Sequence, residues 1–333
     1  MSKPANSPIV IVTGVGALIG QGIISSLRAV LPDAWVIGVD RSSDSPGPYI
    51  CNEFHQKPNV REDDDRYGSF WLELLSISNT GIVLPGIDID CCYLSSHREL
   101  LTQTNAVLAL NSPSLIEICS DKLSLYEATK DLEVACIPTI RADHGHENFA
   151  AVGPTPFILK MRFGSGSRGL RRLDDKEQLD QLAKSIRLDD YILQPYIGCD
   201  ESEFTAAAFG YGDGTASNVI TFRRTLSALG NTAKAVVCEV SQINYAVEVL
   251  TKHFKPLGPT NYQFRMHEDK YYLLEINPRF SSSSSLRTHF GFNEVQMTID
   301  FYLHQKRNIA PAIRQGRAWR YFADYVVYDS PAE

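Results

Sequence analysis

The segment Tyr271-Tyr272-Leu273-Leu274-Glu275-Ile276-Asn277-Pro278-Arg279-Phe280 constrains this chain more than any other stretch. Strand alternation puts Glu275 and Asn277 on one face, while Leu274 and Ile276 turn toward a core. Oxygen donors two residues apart on one strand suit a hard cation, because magnesium beside phosphates takes few protein ligands. Gln263 lies on the preceding strand, in Asn261-Tyr262-Gln263-Phe264, and pairs across the hairpin with the same face. Arg279, beyond the strand end, is placed to neutralise charge on a phosphoryl group in transit.

A second segment carries compatible chemistry. Phe157-Ile158-Leu159-Lys160-Met161 reads as a strand that delivers Lys160, followed by Arg162-Phe163-Gly164-Ser165-Gly166-Ser167-Arg168-Gly169-Leu170. The glycines alternate with Ser165, Ser167 and Arg168 in a hairpin whose amides and hydroxyls fold over phosphate oxygens. Read alone, the same loop is also a mobile Gly/Ser turn with a solvated Arg168. Upstream, Ser120-Asp121 caps a helix that carries Lys122 in its first turn and runs to about Leu132.

The first hundred residues alternate buried-type strands (Ile9 to Val12, Trp35 to Val39, Gly81 to Leu84) with helical spacing from Ile19 to Val30, the signature of a doubly wound parallel sheet. Near residues 110–120 the pattern changes to strands and Gly-rich turns: Phe157 to Met161, Tyr191 to Gln194, Glu203 to Tyr211, Ser217 to Thr221, Tyr262 to Met266 and Tyr271 to Ile276. An antiparallel α+β unit therefore follows the parallel one. The acidic run between Arg61 and Arg66 reads as a solvated loop, and Asp88, Asp90, His97, His144 and His146 as exposed polar groups, with a substrate or metal site as the alternative.

Composition excludes several classes. With 333 residues, 44% hydrophobic and 21% charged at a net −7, the chain is long enough for two or three domains with cores of their own. No basic footprint for nucleic acid appears. Seven cysteines, with Cys91 and Cys92 adjacent, read as reduced thiols of a cytoplasmic protein, not a disulfide framework. Neither a signal peptide before Ile9 nor an apolar stretch of the ~20 residues a membrane span needs is evident.

In order and spacing these motifs resemble the ATP-grasp superfamily, most closely its carbamoyl phosphate synthase large-subunit-like branch. The resemblance implies an α/β and α+β architecture: a Rossmann-like domain over 1–112, then an ATP-grasp fold with its first half over 113–190, a small lid within about 135–190, and a catalytic part over 191–333. It implies ATP contacts from Lys122, Lys160, Ser165, Gly166, Ser167 and Arg168. The hinge Gln194-Pro195-Tyr196-Ile197 would read adenine and Glu203 the ribose. Gln263, Glu275 and Asn277 would hold magnesium or manganese, one or two ions, with Arg279, Lys160 and Arg224 as the catalytic set. Arg223, Lys234, Ser282 and Arg287 are the candidate substrate contacts.

The implied reaction is ADP-forming: a carboxylate is activated as an acyl phosphate and captured by an amine or similar nucleophile. The implied partners are small molecules, with a homodimer as an admissible assembly. Three departures point away from carbamoyl phosphate as the product. Met161 stands where a proline usually follows the lysine, Ser282 where a second arginine is usual, and Leu229-Gly230-Asn231-Thr232 where the synthases carry His-Thr-Gly.

Two rival readings are open at this level. Thr13-Gly14-Val15-Gly16-Ala17-Leu18-Ile19-Gly20, with Asp40 ending the next strand, is the setting of an NAD(P)-dependent oxidoreductase, although the third glycine is displaced by one residue from the usual spacing. Tyr126 and Lys130 supply a Y-x-x-x-K match to the same end. The other rival is a non-catalytic ATP-binding regulator.

Overall fold

The computed structural model describes residues 8–77, 80–101, 103–144, 153, 156–164, 169–321 and 323–328. Three sheets organise them. The first is parallel, in the order β3-β2-β1-β4-β5, from β1 (Ile9–Thr13), β2 (Trp35–Asp40), β3 (Glu53–Gln56), β4 (Thr80–Leu84) and β5 (Val107–Leu108). Its central strands bury apolar residues on both faces, as a sheet flanked by helices requires. One face packs Ile9, Ile11, Ile37 and Val39 against Tyr67, Trp71 and Leu74 of helix α3 (Asp65–Leu75). The other packs Val10, Val12 and Val36 against Ile23, Ile24 and Leu27 of helix α1 (Leu18–Arg28), and that core also takes in Phe280, Val295 and Ile299 from the far end of the chain.

The acidic run is not simply a solvated loop. The Asp64 carboxylate accepts from the Arg66 amide and caps α3, so the run ends as a helix start.

The second sheet has four strands, ordered β6-β9-β7-β8, from β6 (Ile140–Arg141), β7 (Phe157–Met161), β8 (Arg171–Leu173) and β9 (Tyr191–Pro195). It encloses its own core of Phe157, Leu159, Leu173, Leu179, Leu188 and Leu193. β9 pairs with β7 through Met161↔Tyr191 and Phe157↔Pro195, so this sheet runs to Pro195.

The third sheet has six strands in the order β14-β13-β10-β11-β12-β15. They are β10 (Glu203–Tyr211), β11 (Ile220–Leu226), β12 (Thr232–Cys238), β13 (Leu257–His267), β14 (Lys270–Asn277) and β15 (Arg317–Trp319), all antiparallel. The strand expected at Ser217 to Thr221 lies further along, at Ile220–Leu226, so the Arg223-Arg224 pair sits inside a ladder. Helix 241–254 packs one face through Ile243, Val247 and Leu250. The C-terminal helices 284–289 and 294–304 pack the other and wedge between this sheet and α1.

Asn111 fastens the first sheet's outlet to the third. Its amide donates to the Pro278 carbonyl at 3.0 Å and to Pro259 at 3.2 Å, while its oxygen accepts from the Leu257 amide at 2.6 Å. Among the described residues no helix is long and apolar enough to cross a membrane.

Candidate active site

Strand register builds the site's floor. Glu203 on β10 lies opposite Arg224 on β11 and Arg265 on β13; one pleat along, Thr205 faces Gln263, which faces Glu275 on β14. Residues two apart on each strand share a face, so these polar groups form a grid on one side of the sheet. Hydrogen bonds join them into a chain. Arg224 lies 3.4 Å from Glu203 and donates to the Gln263 oxygen, and the Gln263 amide nitrogen donates to Glu275. The Asn277 nitrogen donates to the same Glu275 oxygen at 3.0 Å. The chain then leaves the sheet: Arg279 donates to the Asn277 oxygen at 3.2 Å and grips both oxygens of Asp88, with Nη2 to Oδ2 at 2.8 Å. Asp88 opens helix α4 (Asp88–Ser96) of the parallel-sheet domain, so the two halves of the molecule meet on Arg279.

No group of three or more His, Cys, Asp or Glu side chains able to hold a metal occurs among the described residues. An ion at this floor would rely on the Glu275 carboxylate, on the amide oxygens of Gln263 and Asn277, and on phosphate oxygens brought by a ligand. That donor set suits magnesium, which keeps few protein ligands beside phosphates. Both amides now turn a nitrogen toward Glu275, so each would rotate to present its oxygen to a cation.

Two lysines face the floor. Lys160 projects from β7, and burial pushes its ammonium down to about 8; Glu275 opposes that shift, whereas Lys122 and Arg265 reinforce it. Lys122 starts helix α7 (Lys122–Thr129) and is also lowered by burial, again opposed by Glu275. Desolvated ammonium groups held near a carboxylate in a cleft are a pattern of functional sites.

Asp121 sets up Lys122. Its carboxylate caps the helix at the Leu123 amide, 3.0 Å, and pairs with Arg162 at 2.5 Å, tying the helix to the end of β7. The Lys122 ammonium itself donates to the Gly164 carbonyl at 2.8 Å and to Arg162 at 3.3 Å. A narrow crevice beside Lys122 is lined by that lysine and by Tyr126, Thr139, Gln194, Leu273 and Leu274. There the Gln194 side chain is buried and donates to the Thr139 hydroxyl at 2.7 Å, and the Tyr196 amide is bonded to Pro156.

The expected residues therefore separate into groups. Lys122, Lys160, Gln194, Glu203, Arg224, Gln263, Glu275, Asn277 and Arg279 lie along one cleft, with Pro195, Tyr196 and Ile197 following Gln194 at the end of β9. Ser165, Gly166, Ser167 and Arg168, like His146, lie outside the described residues. Arg223 and Lys234 alternate with Arg224 and Ala235 and point to the opposite, exposed side, Lys234 against the Trp319 ring. Arg287 has no exposed side chain; it donates to Asn261 at 2.6 Å and Thr205 at 3.0 Å and pairs with Glu294 beneath the floor.

Ser282, where the resemblance expects a second arginine, has the guanidinium of Arg320 on its carbonyl instead. Arg265 escaped sequence reading although it lies two residues from Gln263 on the same face, a spacing that alternation alone could have flagged. Asp88 and Asp90 are not idle surface acids: Asp88 holds Arg279, and the fully buried Asp90 pairs with Lys57 at 2.5 Å and accepts from Tyr67 at 3.0 Å.

Comparison with known proteins follows this geometry. Residues 187–324 match a family described as ATP-grasp in the biosynthetic pathway with Ter operon. The chain has the ATP-grasp fold. Solved ATP-grasp structures resemble nearly all of it. N5-carboxyaminoimidazole synthetase from Staphylococcus aureus aligns at a TM-score of 0.70 with 17% identity, over 94% of this chain and 81% of that one. The biotin carboxylase domain of 2-oxoglutarate carboxylase from Hydrogenobacter thermophilus, in complex with MgADP, ADP and bicarbonate, aligns at 0.74 with 16% identity, over 93% and 73%. In sequence, the carbamoyl phosphate synthase large chain of Thermoplasma acidophilum is 26% identical over 190 residues, 51% of this chain. The chain spans 18% of that protein's length.

The glycine-rich turn of the first domain is used internally in this chain. A Cβ on Gly20 would sit 2.2 Å from the Gly14 carbonyl, so the glycine lets α1 pack onto β1. The Asp40 carboxylate, where a dinucleotide ribose would bind, accepts from the Gly16 amide at 2.8 Å and from Arg41 at 2.7 Å. Lys130 of the Y-x-x-x-K match pairs with Glu127 on the surface.

Proposed function

We propose that this chain is an ATP-dependent, ADP-forming ligase that activates a carboxylate as an acyl phosphate and passes the acyl group to an amine or similar nucleophile. The observation that carries this reading is the convergence of two desolvated lysines from the lid side on the Gln263-Glu275-Asn277 floor, with Arg279 at its rim. A triphosphate needs cations on one side and a metal-binding face on the other, and phosphoryl transfer needs positioning and charge neutralisation more than a covalent nucleophile.

In this reading Lys122 and Lys160 bind the phosphates, together with the loop of Ser165, Gly166, Ser167 and Arg168. The Gln194 to Ile197 hinge holds the adenine and Glu203 the ribose edge. Gln263, Glu275 and Asn277 hold magnesium, which supplies neutralisation of the charge building on the β- and γ-phosphates. A carboxylate oxygen attacks the γ-phosphorus, and the bond to the β-bridging oxygen breaks to release ADP. Arg279 and Lys160 stabilise the equatorial oxygens during transfer, and Arg224 keeps Gln263 oriented. The amine then attacks the acyl carbon, inorganic phosphate leaves, and the amine's proton passes to solvent or phosphate.

The test is an ADP-release screen of carboxylates crossed with amines, followed by mass spectrometry of the product. A pair that stimulates ADP release and yields the condensed product is the expected result. ATP and magnesium binding with no stimulation by any pair would favour a non-catalytic regulator, and stabilisation by NADPH in place of ATP would favour the oxidoreductase.

A further inference from the structure

We infer that Arg320 and Ser282 form the subsite that binds the carboxylate of the acceptor substrate, a deeper assignment that rests on the ligase reading above. Arg320 follows β15, and its amide is bonded to the Ala233 carbonyl at 2.8 Å, so it extends the ladder by one more residue. It shares the alternation of Ala318, which pairs with Ala235, which in turn pairs with Arg224. Its side chain therefore rises on the face that carries the site's polar grid, and there its Nη2 donates to the Ser282 carbonyl.

The other arginines of this face have anionic partners. Arg224 and Arg265 share Glu203, Arg279 has Asp88, and Arg287 has Glu294. Arg320 is half-buried and meets no carboxylate among the described residues. Its Nε is shielded from solvent with no hydrogen-bond partner. Burial lowers its basicity with no opposing carboxylate. A desolvated guanidinium without a counter-ion is costly unless an anion joins it, and its planar donor fork matches a carboxylate.

The serine run supplies the second contact. The Ser284 hydroxyl accepts from the Ser281 amide at 3.0 Å, the Ser281 hydroxyl accepts from Arg287 at 3.1 Å, and Ser283 bonds the Thr232 hydroxyl at 3.0 Å. Ser282 stands apart: it is half-exposed, and its hydroxyl meets no partner among the described residues. The loop is thus rigid on both sides of one free hydroxyl that sits beside one uncompensated guanidinium.

The test is thermal-shift titration of MgADP-saturated protein with acetate, glycine, succinate, glutamate and citrate, for the wild type, Arg320→Ala, Arg320→Lys and Ser282→Ala. At least one of these carboxylates should stabilise the wild type saturably. Arg320→Ala should weaken that binding about tenfold or more, with MgADP affinity unchanged. Arg320→Lys should recover part of it, and added guanidinium at low concentration should recover part of it in the alanine variant. Ser282→Ala, which removes no contact of the fold, should weaken it by a smaller factor and keeps the question open to measurement if Arg320→Ala does not fold.

Three results would overturn the assignment: no carboxylate in the panel stabilises the wild type, the variants bind it as the wild type does, or MgADP affinity falls in parallel. Carboxylate binding that depends on Arg320 without carboxylate-stimulated ADP release would instead remove the ligase reading and leave the subsite standing.

Discussion

In the parallel-sheet domain, Lys57 and Asp90 have no exposed side chain, meet at 2.5 Å, and are sealed by Tyr67 and the surrounding aromatic core. On the antiparallel sheet, charges are linked along one face: Glu203 is shared by two arginines, Glu275 takes two amide donors, and Lys160 approaches from β7 with Glu275 as the first charge to oppose its desolvation. The first arrangement satisfies its charge locally and has no room for a guest. The second leaves cationic and oxygen-donor capacity directed into a cleft. Burying charge is common to both; only the second leaves part of the compensation to a ligand.

The largest effect should come from breaking the sealed pair. Asp90→Ala strands a buried ammonium and should destabilise the fold by about 3–5 kcal/mol, read by urea unfolding. Where the variant remains folded, its MgADP affinity should equal that of the wild type; a parallel loss of affinity would erase the distinction between the two regions. Glu275→Ala should do the reverse. Stability should change little, whereas ADP release should fall by about 10²–10³, the scale of removing one aligned electrostatic stabiliser. Unchanged turnover would refute the metal assignment.

Asp88→Asn probes the seam between the regions. It removes the charge that holds Arg279 in place, so kcat should drop by about tenfold while KM for ATP stays constant. An altered KM with constant kcat would show that Asp88 serves nucleotide binding instead.

The smallest effect is a pH dependence. Lys160 has a folded pKa pushed down to about 8, below the ordinary lysine value. Between those two values the unfolded chain holds more protons, so this group makes the free protein more stable as pH rises from about 8 toward about 10.4, and makes a constant unfavourable contribution below about 8. Phosphate binding favours the charged ammonium, so MgADP affinity should weaken as pH rises through about 8. Calorimetric titrations across that range check it, and Lys160→Ala should flatten the curve.

The features legible in the sequence were local ones. Alternation along Tyr271 to Asn277 gave the shared face of Glu275 and Asn277, and the Asp121 cap gave the helix that carries Lys122. The helix itself ends at Thr129, short of Leu132. What escaped depended on register or on distant contact. Nothing near Asp88 announces a partner 191 residues away, and nothing in Lys57 or Asp90 alone announces burial. Arg287 is expected as a substrate contact after a serine run, yet the helix it belongs to is wedged under the sheet, where Glu294 compensates it. Arg223 and Arg224 look equivalent until the ladder sends one to each side.

The bond from the Lys122 ammonium to the Gly164 carbonyl has a consequence for timing. Gly164 lies three residues beyond the end of β7, and an ammonium that captures phosphate must share or surrender its carbonyl. Under the proposed reading the nucleotide is therefore a competitor for a donor already engaged, and phosphate capture and release of that carbonyl become a single exchange. No separate trigger would be needed for the chain beyond β7 to register that the cleft is occupied.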